Sequence, residues 1–506
     1  MHRRQFLKGA ALGSAALVAG HTPDLLGATA STLTLSAPAN AFPYRIAFGC
    51  WMNDVRLTPL PLEDWPAPQL DDETALSLIR TMDVQQAAGF NFFDVWGFFA
   101  TFGWPVDIQS AIDEPRRQRI NKILAAAKER GIKMSLGFGT YSWGYDAIIA
   151  ADPEVRGKQA DGLPHPHAMC DANPKSFEYV KKILDFVLGQ WDFGAVHLES
   201  CDLGCCMCKD CAGKDGIVGY NARINKKTAE YIKSKWPQKT VYVITINWVQ
   251  GHPHFTEEEK AHVVELSKNV DCIFDQGHTG FHVDPATRRE FIPKLKCAYG
   301  TSGNLWLYPD QRFDRASFFL PFVKRAVTGI KEQFADGVRA CLYYQGPVSN
   351  AGTEIQIAAG GRALSDTSKS VEEILASSIE PYYKPKDTAA HQKLVDLFLL
   401  AEECYFGNWP AQKDSFLKLY GFVPGEFKLW QGLFGKTPGP ATYLLEPMLA
   451  AKGRAEYKKG LESILRDLPT LAGKCDDGGR LENIQRSITV TLTMLNTVSN
   501  ALHDTP

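Results

Sequence analysis

The stretch Gly194-Ala-Val-His-Leu-Glu-Ser-Cys-Asp-Leu-Gly-Cys-Cys-Met-Cys-Lys-Asp-Cys211 decides the fold. It opens as an apolar run, reaches a carboxylate at Glu199, and then sets five cysteines within eleven residues. A buried strand that carries an acid to its C-terminal end is how a parallel α/β barrel furnishes an active site. The cysteines imply that the loop above the acid is pinned, by a metal or by disulfides.

Seven more runs of the same kind flank that strand. The eight are Tyr44–Trp51, Phe90–Phe98, Ile132–Thr140, Ala195–Ser200, Val241–Trp248, Asp271–Gln276, Leu295–Gly300 and Val338–Gln345. Aromatic and β-branched residues without alternation fit strands covered on both faces. Amphipathic segments lie between most of them: Asp72–Ala88, Gln118–Arg130, Ser176–Gln190, Asn221–Lys235, Thr256–Lys268 and Ala316–Phe334. Eight β-α units predict a closed (β/α)8 TIM barrel over residues 31–369. A doubly wound open sheet is the alternative, and it would want a glycine-rich phosphate turn after the first strand, which is missing. From residue 370 to 506 the segments read as helices only, so a C-terminal all-helical domain is expected.

The first thirty residues read as a targeting segment. His2-Arg3-Arg4-Gln5-Phe6-Leu7-Lys8, a weakly apolar run from Gly9 to Gly20, and Ala28-Thr29-Ala30 resemble a twin-arginine signal with its cleavage site. The expectation is a periplasmic or secreted protein that meets the twin-arginine export machinery. No stretch has the ~20 strongly apolar residues of a membrane span. A net charge of −2 gives no electrostatic case for nucleic acid. Hydrophobic content of 45% is ordinary for a globular core.

In a barrel of this kind the chemistry sits where the strands end. That rule selects Asp94 and Trp96 after the second strand, Trp143 after the third, and His197, Glu199 and Asp202 at the fourth. It adds Asn247 and Trp248 at the fifth, Asp275 and His278 at the sixth, Trp306 at the seventh, and Tyr344 and Gln345 at the eighth. Carboxylates among aromatic rings and amides suit a carbohydrate substrate, because rings stack on the apolar face of a sugar and amides bind hydroxyls. Glu199, in apolar surroundings, is the expected general acid, and Asp275 the expected nucleophile or base, with Asp94 and Asp202 competing. A lyase or metal-dependent enzyme using His197, Glu199 and Asp275 as ligands, or a carbohydrate-binding barrel without catalysis, are the alternatives.

The cluster Cys201-x3-Cys205-Cys206-x-Cys208-x2-Cys211 contains a knuckle spacing, Cys208-x2-Cys211. Cys201, Cys205, Cys208 and Cys211 are the expected set for a structural zinc, with Cys206 as an alternative to Cys205 and Cys170, from the preceding loop, as an alternative to Cys201. Disulfides are the competing expectation in an oxidising compartment. No cofactor is expected for the catalytic step itself.

Cys170-Asp-Ala-Asn-Pro174, His197-Leu-Glu-Ser-Cys-Asp202 and the Cys-x-Cys-x2-Cys cluster together resemble a group of secreted bacterial barrel proteins related to glycoside hydrolases. That group lies near the β-hexosaminidase-like and α-glucuronidase-like barrels. Glu380-Pro-Tyr-Tyr383 and Ala401-Glu-Glu-Cys-Tyr-Phe-Gly407 are similar to its C-terminal part. The resemblance implies a glycosidase acting on an oligo- or polysaccharide, with Glu199 as its acid. The adjacent Asp-Glu pair of true β-hexosaminidases is absent, since Leu198 precedes Glu199.

Overall fold

Ten strands form in the computed structural model, which describes residues 38–49, 70–95, 104–109, 112–246, 248–249, 255–275, 285–304, 319–345, 351–407 and 451–501. They are β1 (Tyr44–Gly49), β2 (Phe92–Val95), β3 (Lys133–Gly139), β4 (Arg156–Lys158), β5 (Pro164–Met169), β6 (Ala195–Glu199), β7 (Thr240–Ile244), β8 (Cys272–Phe274), β9 (Ala298–Ser302) and β10 (Ala340–Tyr344). Eight of them close into a parallel barrel in the order β1-β2-β3-β6-β7-β8-β9-β10, each pairing with its neighbour and β10 returning to β1. All eight strands expected from the sequence are present within the described residues, with ends that differ by a few positions. The seventh starts later, at Ala298, because the 3-10 turn Ile292–Lys294 occupies the approach to it.

The barrel helices are α1 (Asp72–Ala88), α2 (Glu114–Glu129), α4 (Pro174–Gln190), α5 (Ala212–Lys235), α6 (Glu257–Leu266), α7 (Pro285–Phe291), α8 (Lys324–Ala335) and α9 (Ala351–Ser365), with a short α3 (Asp146–Ala151) in the loop after β3. Their starts are written locally. Asp71, Asp113 and Asn173 accept backbone N–H groups of the first turns of α1, α2 and α4, and Thr256 with Glu259 makes a reciprocal capping box on α6. Helices α3 and α7, a hairpin and α9 lie outside the segments expected from the sequence. The antiparallel hairpin β4-β5 rises from the loop after β3. Helix α9 closes the eighth unit, buried along nearly its whole length. It approaches the barrel so closely that a side chain at Gly360 would overlap the Tyr343 ring.

Beyond the barrel come α10 (Val371–Tyr383), α11 (Thr388–Phe406), α12 (Ala451–Asp467) and α13 (Arg480–Ala501). Residues 408–450 of the expected helical segment lie outside the described residues. The C-terminal helices are joined to the barrel by buried polar contacts. Helix α8 has no side-chain cap of its own. Glu402, from α11, accepts the backbone N–H groups of Val323, Lys324 and Arg325 at 2.7, 2.7 and 2.9 Å. The Thr491 hydroxyl on α13 accepts the Phe319 N–H at 2.9 Å. Arg480 forks onto Glu354 of α9 at 2.7 and 2.9 Å.

Candidate active site

Register decides which side chains enter the barrel, because neighbours along a strand point to opposite faces. His197 on β6 lies beside Tyr242 on β7, and Glu199 lies beside Ile244. Asp94 on β2 lies between Phe48 of β1 and Ser135 of β3. These residues meet in the interior. The Asp94 carboxylate receives the Tyr242 hydroxyl at 2.6 Å on the same oxygen that stands 2.7 Å from His197 Nδ1. The His197 and Tyr242 rings stack with centroids 5.0 Å apart. Phe48 meets His197 edge-on at 5.7 Å and Tyr344 at 5.1 Å. Asp94 and His197 are fully buried, and the second Asp94 oxygen, Oδ1, has no hydrogen-bond partner among the described residues.

Glu199 follows two residues after His197 on the same face of β6 and is 7% exposed. Burial pushes its carboxyl well above the ordinary carboxylate range, and the charges of Asp202 and Asp94 push it the same way. Asp202, in the loop that follows, is pushed up to about 6 by burial. Burial thus raises both carboxyls at this strand end, and the Asp202 charge adds to the rise at Glu199.

The loop after β3 closes one side of this region. Thr140 donates its N–H to the Glu199 carbonyl at 2.6 Å. Tyr141 and Trp143 then adopt left-handed backbone angles, with φ of 64° and 74°. Non-glycine residues held there carry strain, and such positions concentrate at functional sites. The strained loop is braced by the hairpin, since the Met169 N–H donates to the Tyr141 carbonyl at 2.7 Å and Ser142 bridges to Ala168.

The remaining sequence candidates fall in different places. Asp275, half-buried just past β8, accepts the Tyr299 hydroxyl, and its N–H donates to the Gly300 carbonyl at 3.0 Å. Trp143 is half-buried at the mouth. Trp248 is 1% exposed, so its ring belongs to the core rather than to an open stacking platform. Tyr344 and Gln345 end β10, buried; the Asn304 side chain brackets the Tyr344 backbone at 2.7 and 2.6 Å. Neither polar atom of the Gln345 amide has a partner among the described residues. Trp96, Asn247, His278 and Trp306 lie outside the described residues. Sequence reasoning passed over Tyr242, Tyr299 and Asn304. Tyr242 sits in an evenly apolar run, and only the pairing of β7 with β6 reveals that it faces His197.

The cysteines assemble with both alternative members, Cys206 and Cys170, in place of Cys205 and Cys201. Cys170, Cys206, Cys208 and Cys211 place their sulfurs within 4.8 Å of one another, an arrangement that could hold a metal ion. Cys201 and Cys205 are not in that group; their thiols hydrogen-bond to each other. The backbone turns Cys206 toward the hairpin, where its sulfur accepts the Lys158 N–H at 3.3 Å. Cys170, at the end of β5, supplies the fourth thiol. Asp171 beside it pairs with Arg223 at 2.5 Å and Lys227 at 3.0 Å.

No protein-family model matches the chain, and no curated protein matches it. Solved structures do. A GH138 enzyme targeting pectin rhamnogalacturonan II aligns over 92% of this chain and 59% of its own length, with 12% identity and a TM-score of 0.54. The Flavobacterium johnsoniae chitobiase FjGH20 aligns over 90% and 72%, with 12% identity and a TM-score of 0.40. CpGH84B aligns over 91% and 74%, with 11% identity and a TM-score of 0.45. The chain thus spans somewhat over half of the GH138 enzyme. At that identity the likeness to the GH138 enzyme shows the fold alone, a closed parallel barrel with surrounding helices.

Proposed function

We propose that this protein hydrolyses glycosidic bonds, with Glu199 as the proton donor and Asp202 as its ionised partner. The observation that carries the proposal is the pair of neighbouring carboxyls at the end of the fourth barrel strand, both raised by burial, with the Asp202 charge raising Glu199 further. In this reading Glu199, pushed up by burial and by the Asp202 charge, supplies the proton, and Asp202, titrating at about 6, is the ionised partner. A sugar's leaving oxygen departs poorly as an alkoxide, and a protonated carboxyl aimed at it removes that cost. The ionised neighbour then attacks the anomeric carbon, activates water, or offsets the positive charge growing on the ring. Asp202 takes this part ahead of Asp275 because its charge acts directly on Glu199, whereas the Asp275 carboxylate is engaged by Tyr299. The shared barrel supports the reading at the level of fold. Because the GH138 neighbour targets pectin, pectic fragments belong with aryl glycosides and hexosaminides in the first substrate panel.

We place the activity outside the cytoplasm, on the strength of Arg3-Arg4 and the small-residue cleavage site. Cell fractionation tests that placement, and a full-length chain retained in the cytoplasm refutes it. The chemistry is tested with aryl glycosides of graded leaving group. Glu199→Gln should lose turnover steeply on poor leaving groups and keep most of it on dinitrophenyl glycosides, which need no proton. Asp202→Asn should slow both alike. A Glu199→Gln enzyme whose loss is the same for every leaving group refutes the role of Glu199.

A further inference from the structure

We propose that Cys170, Cys206, Cys208 and Cys211 bind one zinc ion, and that this ion is a clasp between the loops after the third and fourth barrel strands. Distance is the first ground. A tetrahedral ion with Zn–S bonds of about 2.3 Å sets its sulfurs about 3.8 Å apart. Cys170 Sγ stands 3.8 Å from Cys208 Sγ and 3.8 Å from Cys211 Sγ, and no pair in the quartet exceeds 4.8 Å. A disulfide would need a bond of about 2.05 Å, and all four thiols are free.

The surroundings suit thiolates. The backbone N–H of Lys158 donates to the Cys206 sulfur at 3.3 Å. Donors to the ligating atoms orient them and temper their charge. The loop from 206 to 213 is turned by its own hydrogen bonds, with the Cys211 and Gly213 N–H groups donating to the Cys208 carbonyl at 3.0 and 3.1 Å. The hairpin walls the other side so closely that a Cβ at Gly157 would lie 3.3 Å from Cys206 Sγ. Arg223 and Lys227 bring positive charge to Asp171, the neighbour of Cys170. Four thiolates around a divalent ion leave a net charge of −2. Each thiol that ligates gives its proton to solvent, and no oxidant takes part.

Four thiolates in a tetrahedron serve zinc or a single iron. Zinc is assigned because it has no geometric preference from d-electrons and so accepts a quartet whose sulfur separations spread from 3.8 to 4.8 Å. Such an ion would tie the strained Tyr141–Trp143 loop, through the hairpin and Cys170, to the loop that carries Asp202.

The test uses the full chain purified without added metal, with metal content measured by plasma mass spectrometry. One zinc per chain is expected. Cys170→Ser and Cys208→Ser should each lower that content several-fold, and Cys201→Ser should leave it unchanged. If the serine variants do not fold, the wild-type protein exchanged with cobalt should show thiolate charge-transfer bands and the intense visible bands of a tetrahedral site. One iron per chain, two disulfides among the four cysteines, a full zinc content in Cys170→Ser, or a cobalt spectrum without thiolate bands would each overturn the proposal. Metal content is read without turnover, so the clasp can fail while the hydrolase stands, and the reverse.

Discussion

Tyr242→Phe isolates a single interaction in the barrel interior. The substitution deletes one hydroxyl and keeps the ring that stacks on His197 at 5.0 Å, so no cavity opens. What disappears is a hydrogen bond of 2.6 Å to a fully buried carboxylate. Bonds to charged groups contribute about 1.5–3 kcal/mol, and leaving the acceptor short of a partner tends to the upper part of that range. The unit from Ala37 to Pro506 has about 470 residues. At about 2.1 cal/mol/K per residue its unfolding entropy is ~1 kcal/mol/K, so the melting temperature should fall by about 1.5–3 °C. Scanning calorimetry reads the shift. A double-mutant cycle with Asp94→Asn should show that Tyr242→Phe costs at least about 1 kcal/mol less once the charge is gone, by the order of magnitude expected for residues in contact. A Tyr242→Phe protein as stable as wild type, or strictly additive effects in the cycle, would refute the account of Asp94 as an anion held by Tyr242.

Two further outcomes are expected. With Asp202 ionising at about 6 and Glu199 well above the carboxylate range, kcat/KM should rise through pH 6 and fall at higher pH. Asp202→Asn should abolish the rising limb and, by removing a charge that raises Glu199, move the falling limb to lower pH; a falling limb that stays in place refutes the coupling. Glu402→Ala leaves the Val323, Lys324 and Arg325 N–H groups at the start of α8 without their acceptor. It should cost about 3 kcal/mol or more, as expected for several unpaired buried donors, in denaturant unfolding, and a loss below about 0.5 kcal/mol, the scale of ordinary surface substitutions, would show that the cap is idle.

The barrel was legible because each of its strands is covered on both faces. Sequences such as Val241-Tyr-Val-Ile244 have no polar face to alternate, and that uniformity is itself the signal. The same uniformity concealed α9. Its residues Ala351-Gly-Thr-Glu-Ile-Gln-Ile-Ala-Ala-Gly-Gly are buried almost all round, so no amphipathic stripe marks them as helix. The hairpin was hidden for the opposite reason. Pro164-His-Pro-His-Ala-Met169 lacks strand formers, and β5 exists because β4 and the Tyr141 loop supply its hydrogen-bond partners. Glu199 and His197 could be set on one face by counting alternate residues, but the meeting of His197 with Asp94 and Tyr242 depends on pairing across three other strands. Spacing could likewise count thiols but not aim them. Cys205 and Cys206 are adjacent, and the turn of the backbone alone sends one toward Cys201 and the other to the quartet.

The carboxylate that α11 lends to α8 bears on how the protein can be divided. Residue 370 is an attractive place to cut, since among the described residues all strands lie before it and only helices after it. A chain ending there would keep every barrel strand yet lose Glu402, and the seventh barrel helix would begin with three bare amides facing a gap left by α11. The helical tail is thus a structural dependency of the barrel rather than an appendage, and shortened versions meant for crystallisation or engineering should retain it.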